Sequence, residues 1–140
     1  MSFDGLTIRA ITKELKDELS GGYIRKIIQP DRHELIFTIK TAEDQKKLLI
    51  SASASLPLIY LTDENKPAPQ TAPNFTMLLR KYLSGARLFS IEQIKNERVI
   101  KFILEHKDEM KDKSKLFLYV ELMGKYSNII LCDENNIIID

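Results

Sequence analysis

The sequence predicts an α+β fold, an antiparallel β-sandwich-like domain carrying two amphipathic helices, and three observations carry that reading. Two windows repeat apolar residues at helical spacing, one opening near Asp4 and one near Phe75. Roughly eight short runs rich in β-branched and aromatic residues fill most of the remainder. Turn residues separate those runs at hairpin distances, which favours antiparallel neighbours over long crossovers.

Asp4 is a suitable helix cap, and Leu6, Ile8, Ile11, Leu15 and Leu19 follow it on one face. Lys13, Glu14, Lys16, Asp17 and Glu18 cover the opposite side, and Gly21-Gly22 ends the helix. Tyr23 to Gln29 and Glu34 to Thr41 read as a hairpin around the turn Pro30-Asp31-Arg32-His33. Lys47 to Ser53 and Leu56 to Thr62 make a second pair. Asp63 to Pro73, with three prolines, is a loop. Pro73 or Asn74 opens the second helix, Phe75 to Leu83, whose apolar residues are Leu78, Leu79 and Leu83 and whose stop is Gly85. Strands return at Arg87 to Gln93, Arg98 to Glu105, Lys115 to Leu122 and Asn128 to Cys132. The charged segment from Glu105 to Lys115 reads as a solvated hairpin loop, and Asp133 to Asn136 as a turn. The sheet faces are expected to be covered by each other and by the helices.

With 140 residues the chain is one domain long, and 44% hydrophobic with 29% charged residues is an ordinary balance for a folded domain. The 21 basic and 20 acidic residues leave a net charge of +1, so contact with nucleic acid requires a local patch. The single cysteine, Cys132, has no internal disulfide partner and lies in an apolar run, which fits a buried thiol in a reducing cytosol. Ser2-Phe3-Asp4-Gly5 lacks the basic start of a signal peptide, and no apolar run has bilayer length, so a cytoplasmic location without a membrane partner is expected. The apolar run Ile137-Ile138-Ile139 before Asp140 reads as an interrupted strand, the mark of a segment belonging to a longer protein.

A search for chemistry removes several classes. His33 and His106 fall in separate predicted turns and Cys132 has no neighbour of its kind, so no metal ligand set is expected. Gly21-Gly22 follows a helix instead of opening one, which is the wrong order for a phosphate loop. Ser51, Ser53 and Ser55 form a polar stripe without a nucleophile elbow. Neither a catalytic set nor a cofactor site is expected.

Three features remain. Arg80-Lys81, beside Tyr82 and followed by Arg87, suits contact with phosphates and bases, and equally suits a helix face open to water. Glu97-Arg98 stands at a predicted strand start, where neighbours point to opposite faces: one side chain packs inward while the other reads a ligand, or the pair is simply a turn followed by a strand edge. Glu121 to Asn128 is a strand running into a tight turn, a hairpin corner that also presents Lys125 and Tyr126 to a partner.

Several collinear segments resemble the NFACT family, which includes bacterial RqcH proteins and fibronectin-binding-protein-A-like proteins. They are Ser2-Phe3-Asp4-Gly5-Leu6 with Arg9-Ala10, Lys26 to Pro30 with Glu34-Leu35, Phe75 with Met77 to Lys81 and Leu83, and above all ELMGKYSNIIL from Glu121 to Leu131. The resemblance covers the chain as that family's N-terminal domain, residues 1–140. It implies a fold similar to the N-terminal domain of formamidopyrimidine-DNA glycosylases. Those enzymes use a proline amine after the initiator methionine and an adjacent glutamate; Ser2 and Phe3 stand there, so imine chemistry is not expected.

The resemblance also implies a ribosome quality-control factor that binds tRNA and the large ribosomal subunit still carrying peptidyl-tRNA. In such a factor alanyl-tRNA is recruited for C-terminal tailing, and the ribosome makes the bond. Asp4 matches the family's functional aspartate, and Glu97-Arg98 falls where the family has Asp-Arg, lengthening the acid by one methylene. Leu58 replaces a basic residue usual before the fourth strand's Ile-Tyr. Arg98, Arg80 and Lys81 are then expected to reach phosphates or base edges, while Asp4 and Glu97 accept hydrogen bonds from bases or 2′-hydroxyls. The older family name implies a rival, a fibronectin-binding surface adhesin.

Overall fold

The computed structural model describes residues 5–53, 58–63, 66, 72–95, 97–107, 113–122 and 128–139. Helix α1 spans Gly5–Leu19 and buries Ile8, Thr12, Leu15 and Leu19, four residues on one helical face. Thr12 meets its burial by donating its hydroxyl to the Ile8 carbonyl at 2.7 Å. Two glycines then turn the chain into the sheet. Gly21 takes φ +85, and its N–H donates to the Leu88 carbonyl at 2.9 Å while Leu88 donates back to Gly22 at 2.7 Å. Gly22 is needed for close approach, since a Cβ there would lie 2.8 Å from Ile39 Cγ2.

Eight antiparallel strands follow: β1 Tyr23–Asp31, β2 Glu34–Lys40, β3 Gln45–Ser51, β4 Leu58–Thr62, β5 Arg87–Gln93, β6 Val99–Lys107, β7 Lys113–Glu121 and β8 Asn128–Asp133. Helix α2, Asn74–Leu83, stands between β4 and β5. The strands form one sheet in the order β4-β3-β2-β1-β5-β6-β7-β8, so all neighbours except β1 and β5 are joined by hairpins. At that exception a single registered pair, Tyr23 with Arg87, holds the halves together, helped by Ile24 N–H donating to Ala86 and Gly85 N–H donating to Ile24.

From this seam the two four-stranded halves fold over one another. Ile24, Phe37, Ile39, Leu48 and Ile50 of the first half meet Leu88, Phe102, Leu104 and Leu118 of the second around one small interior space. Ile8, Leu15 and Leu19 of α1 and Leu79 and Leu83 of α2 join the same core. The two layers of the expected sandwich-like arrangement are therefore the halves of one continuous antiparallel sheet. A Lys46–Glu18 ion pair ties β3 to α1.

Several boundaries differ from the sequence reading; β3, for example, runs from Gln45 to Ser51 instead of Lys47 to Ser53. Pro30 and Asp31 belong to β1, leaving Arg32 and His33 as the turn; the pairing with β2 shifts register between Ile28 and Asp31, where a residue lacking an N–H is tolerated. The β6–β7 hairpin continues to Lys107 opposite Lys113, so residues 105–107 and 113–115 of the expected loop are strand, while residues 108–112 lie outside the described residues. His106 is thus a strand residue, opposite Ser114, and not a turn residue. After β8, Ile138 bridges back to Cys132 and Ile139 donates its N–H to Leu131, a short stretch of the strand-like run.

Candidate nucleic-acid interface

Glu97 and Arg98 sit in the connection from β5 to β6, and their backbone is held on every side. Ile94 N–H donates to the Val99 carbonyl at 3.0 Å, and Glu97 N–H donates to the Ile94 carbonyl at 2.8 Å, closing a four-residue turn. The Gln93 side-chain amide donates to the Glu97 carbonyl at 2.8 Å. Leu122, just past β7, donates its N–H to the Arg98 carbonyl at 2.9 Å. Both charged side chains are exposed, whereas Val99 and Ile100 behind them are buried. Neither acid nor base packs inward, because strand alternation begins one residue later, at Val99. A fixed backbone bearing an acceptor and a guanidinium at a water-facing corner suits recognition of a polar, anionic ligand.

The sequence reading missed Lys95 at this corner. It is exposed and has φ +45, a conformation unusual for a lysine. The dipeptide that announces such a turn, Asn-Gly or Asp-Gly, is absent, and the Lys95-Asn96 sequence gives no comparable signal.

Arg80 and Lys81 occupy the last turn of α2, where cations oppose the helix dipole. Arg80 has a structural bond as well: its Nε donates to the Ile27 carbonyl of β1 at 2.9 Å. Lys81 Nζ lies 5.4 Å from the centroid of the Tyr82 ring. The Arg80 bond ties α2 to β1, whereas the Lys81–Tyr82 contact lies within α2, and the bonds of the Glu97–Arg98 corner run to β5 and to the end of β7. Asp4, Lys125 and Tyr126 lie outside the described residues. The strand ends flanking the latter two, Glu121 and Asn128, are paired, and Leu122 between them and Arg98 shares the corner's backbone bonding.

The Asp31 carboxylate accepts the His33 N–H at 2.9 Å, and the His33 carbonyl accepts Ala52 N–H at 2.8 Å. Cys132 is buried, and desolvation followed by the nearby Asp133 carboxylate pushes its thiol pKa up. Among the described residues no three of His, Cys, Asp or Glu gather where a metal ion would be held.

A family profile described as NFACT N-terminal and middle domains matches residues 4–140. The chain belongs to the NFACT family. This NFACT chain is 42% identical over 135 residues to the Rqc2 homolog RqcH of Streptococcus suis, covering 96% of itself and 24% of that protein. It is 41% identical over 141 residues to the Rqc2 homolog RqcH of Bacillus subtilis, with coverages of 100% and 25%. The solved N-terminal structure of the fibronectin/fibrinogen-binding protein from Streptococcus suis superposes with a TM-score of 0.96 at 41% identity, covering 99% of this NFACT chain and 52% of that one. The chain thus spans about a quarter of the curated relatives' length and about half of the solved one. No helix among the described residues is long and apolar enough to cross a membrane.

Proposed function

We propose that this NFACT domain is the tRNA- and large-subunit-binding end of a ribosome quality-control factor. It recruits alanyl-tRNA so that the ribosome extends a stalled chain, and performs no bond-making itself. The identity to RqcH proteins over nearly the whole chain is the observation that carries the reading. The exposed Glu97–Arg98 corner supports it, being built to hold two ligand-reading side chains without using them in the core. Arg98 faces phosphate or a base edge, and Glu97 accepts from a base amine or 2′-hydroxyl, with Asp4 assigned the same work. With a net charge of +1, such contacts are local and sensitive to salt.

The proposal includes a fold shared with the N-terminal domain of formamidopyrimidine-DNA glycosylases but not their reaction, since Ser2 and Phe3 supply neither the amine nor the acid. It also places the protein in the cytoplasm, consistent with a lone unpaired cysteine. A second reading, binding of fibronectin at the cell surface, is favoured by the name of the solved Streptococcus suis relative. The test uses the full-length protein. Arg98→Ala is expected to weaken tRNA binding by about tenfold at moderate salt with unchanged thermal unfolding. Unchanged affinity for tRNA would remove Arg98 from the site, and fibronectin binding without tRNA binding would replace the reading.

A further inference from the structure

Four described residues have positive φ: Gly21 at +85, Gly85 at +77, Asn136 at +61 and Lys95 at +45. Three of them are of the types that enter this region at little cost. Asn136 is moreover tied down, its side-chain oxygen accepting the Tyr119 hydroxyl at 2.7 Å. Lys95 is the exception. It stands at the second position of the Ile94–Glu97 turn, where positive φ strongly favours Gly, Asn or Asp.

Nothing in the packing asks for a lysine there. The side chain is exposed, and the bonds that close the turn come from the Ile94 and Glu97 backbone and from Gln93. A strained backbone position at a water-facing corner shared with Arg98 points to a role for the side chain it presents outward. We infer that Lys95 is a further RNA-contacting residue of this corner, placing an ammonium on a phosphate next to the one engaged by Arg98. This deepens the tRNA reading and rests on it. The division of labour follows from geometry: the guanidinium offers a planar fork for phosphate or a base edge, the ammonium a point charge for phosphate alone. Lys95 therefore adds affinity without sequence preference.

The experiment measures binding of deacylated bulk tRNA to the full-length protein across a salt series, together with thermal unfolding. Lys95→Gly is expected to weaken binding and to reduce the slope of log affinity against log salt by about 0.9, while Tm holds or rises because glycine relieves the turn. Lys95→Arg is expected to restore the slope. Lys13→Ala, which removes an exposed lysine on α1, serves as the control and is expected to leave the slope alone. Wild-type binding by Lys95→Gly alongside weakened binding by Arg98→Ala would overturn the inference and keep the tRNA reading. An equal loss from Lys13→Ala would also overturn it, by showing a general charge effect. Wild-type binding by both Lys95→Gly and Arg98→Ala would overturn the inference and place the tRNA contacts away from this corner, whereas a wild-type protein that binds no tRNA would sink the tRNA reading itself.

Discussion

Replacing Gly22 by Ala pushes a methyl group into a space that the fold has already filled. The new Cβ would lie 2.8 Å from Ile39 Cγ2, 3.0 Å from the Lys40 carbonyl oxygen and 3.1 Å from the Leu19 carbonyl oxygen. Ile39 is 2% exposed and has nowhere to retreat, and the two oxygens belong to backbone that ends α1 and β2. Overpacking of this kind costs about 1–3 kcal/mol, whereas the reduced freedom of the unfolded chain returns about 0.4–1 kcal/mol. The clash wins, for a net loss of roughly 1–2 kcal/mol and a fall in Tm of roughly 3–8 °C. Urea unfolding monitored by circular dichroism measures it, with the midpoint lowered and the slope unchanged. Gly21→Ala provides a contrast, since its Cβ meets nothing within 4 Å and its cost, about 1 kcal/mol, comes from φ +85 alone. A Gly22→Ala protein as stable as wild type would refute the close approach between the helix end and β2, and with it the way α1 is seated.

Arg80→Met keeps the side-chain stem but removes the donor to Ile27, so stability should drop by about 0.5–1.5 kcal/mol. An unaltered urea midpoint would mean that the bond contributes nothing, leaving Arg80 free for RNA alone. For Cys132 the raised thiol pKa predicts alkylation by iodoacetamide near pH 8 far slower than for a free cysteine. The sign follows from linkage: the buried thiol is neutral when folded, so its stabilising contribution is intact below the unfolded thiol pKa and is lost as pH rises toward the folded one. Rapid native-state labelling at pH 8 would contradict this burial.

Much of the architecture was legible because one side of each element is apolar at a fixed period. Ile8, Leu15 and Leu19 announce α1, and Leu79 and Leu83 announce α2; all five are buried. The β6–β7 hairpin was read too short because Glu105, Lys107, Lys113 and Lys115 are charged, and such a run resembles a loop in the sequence. Opposite charges facing one another, Glu105 beside Lys115, support that ladder. The seam between β1 and β5 was not legible, since one registered pair and the bonds around Gly21, Gly22 and Gly85 make it, and periodicity carries no trace of such contacts.

At the candidate site the pattern gave the residues and left their setting open. For Glu97 and Arg98 it allowed an inward–outward pair or a turn followed by a strand edge; the turn closed by Glu97 and Ile94 comes before a strand that starts at Val99, and both side chains are exposed. Arg80 was read as a surface cation, yet its bond to Ile27 depends on packing between α2 and β1. Lys95 escaped because a strained dihedral is a property of the closed turn, set by bonds from residues on either side.

Whether this domain works on tRNA at the ribosome is tested most directly by isolating the full-length protein from cells under gentle conditions and sequencing the RNA that accompanies it. The account predicts ribosomal RNA of the large subunit together with tRNA enriched for alanine acceptors, with the tRNA share reduced by Arg98→Ala. A native preparation carrying neither would contradict it.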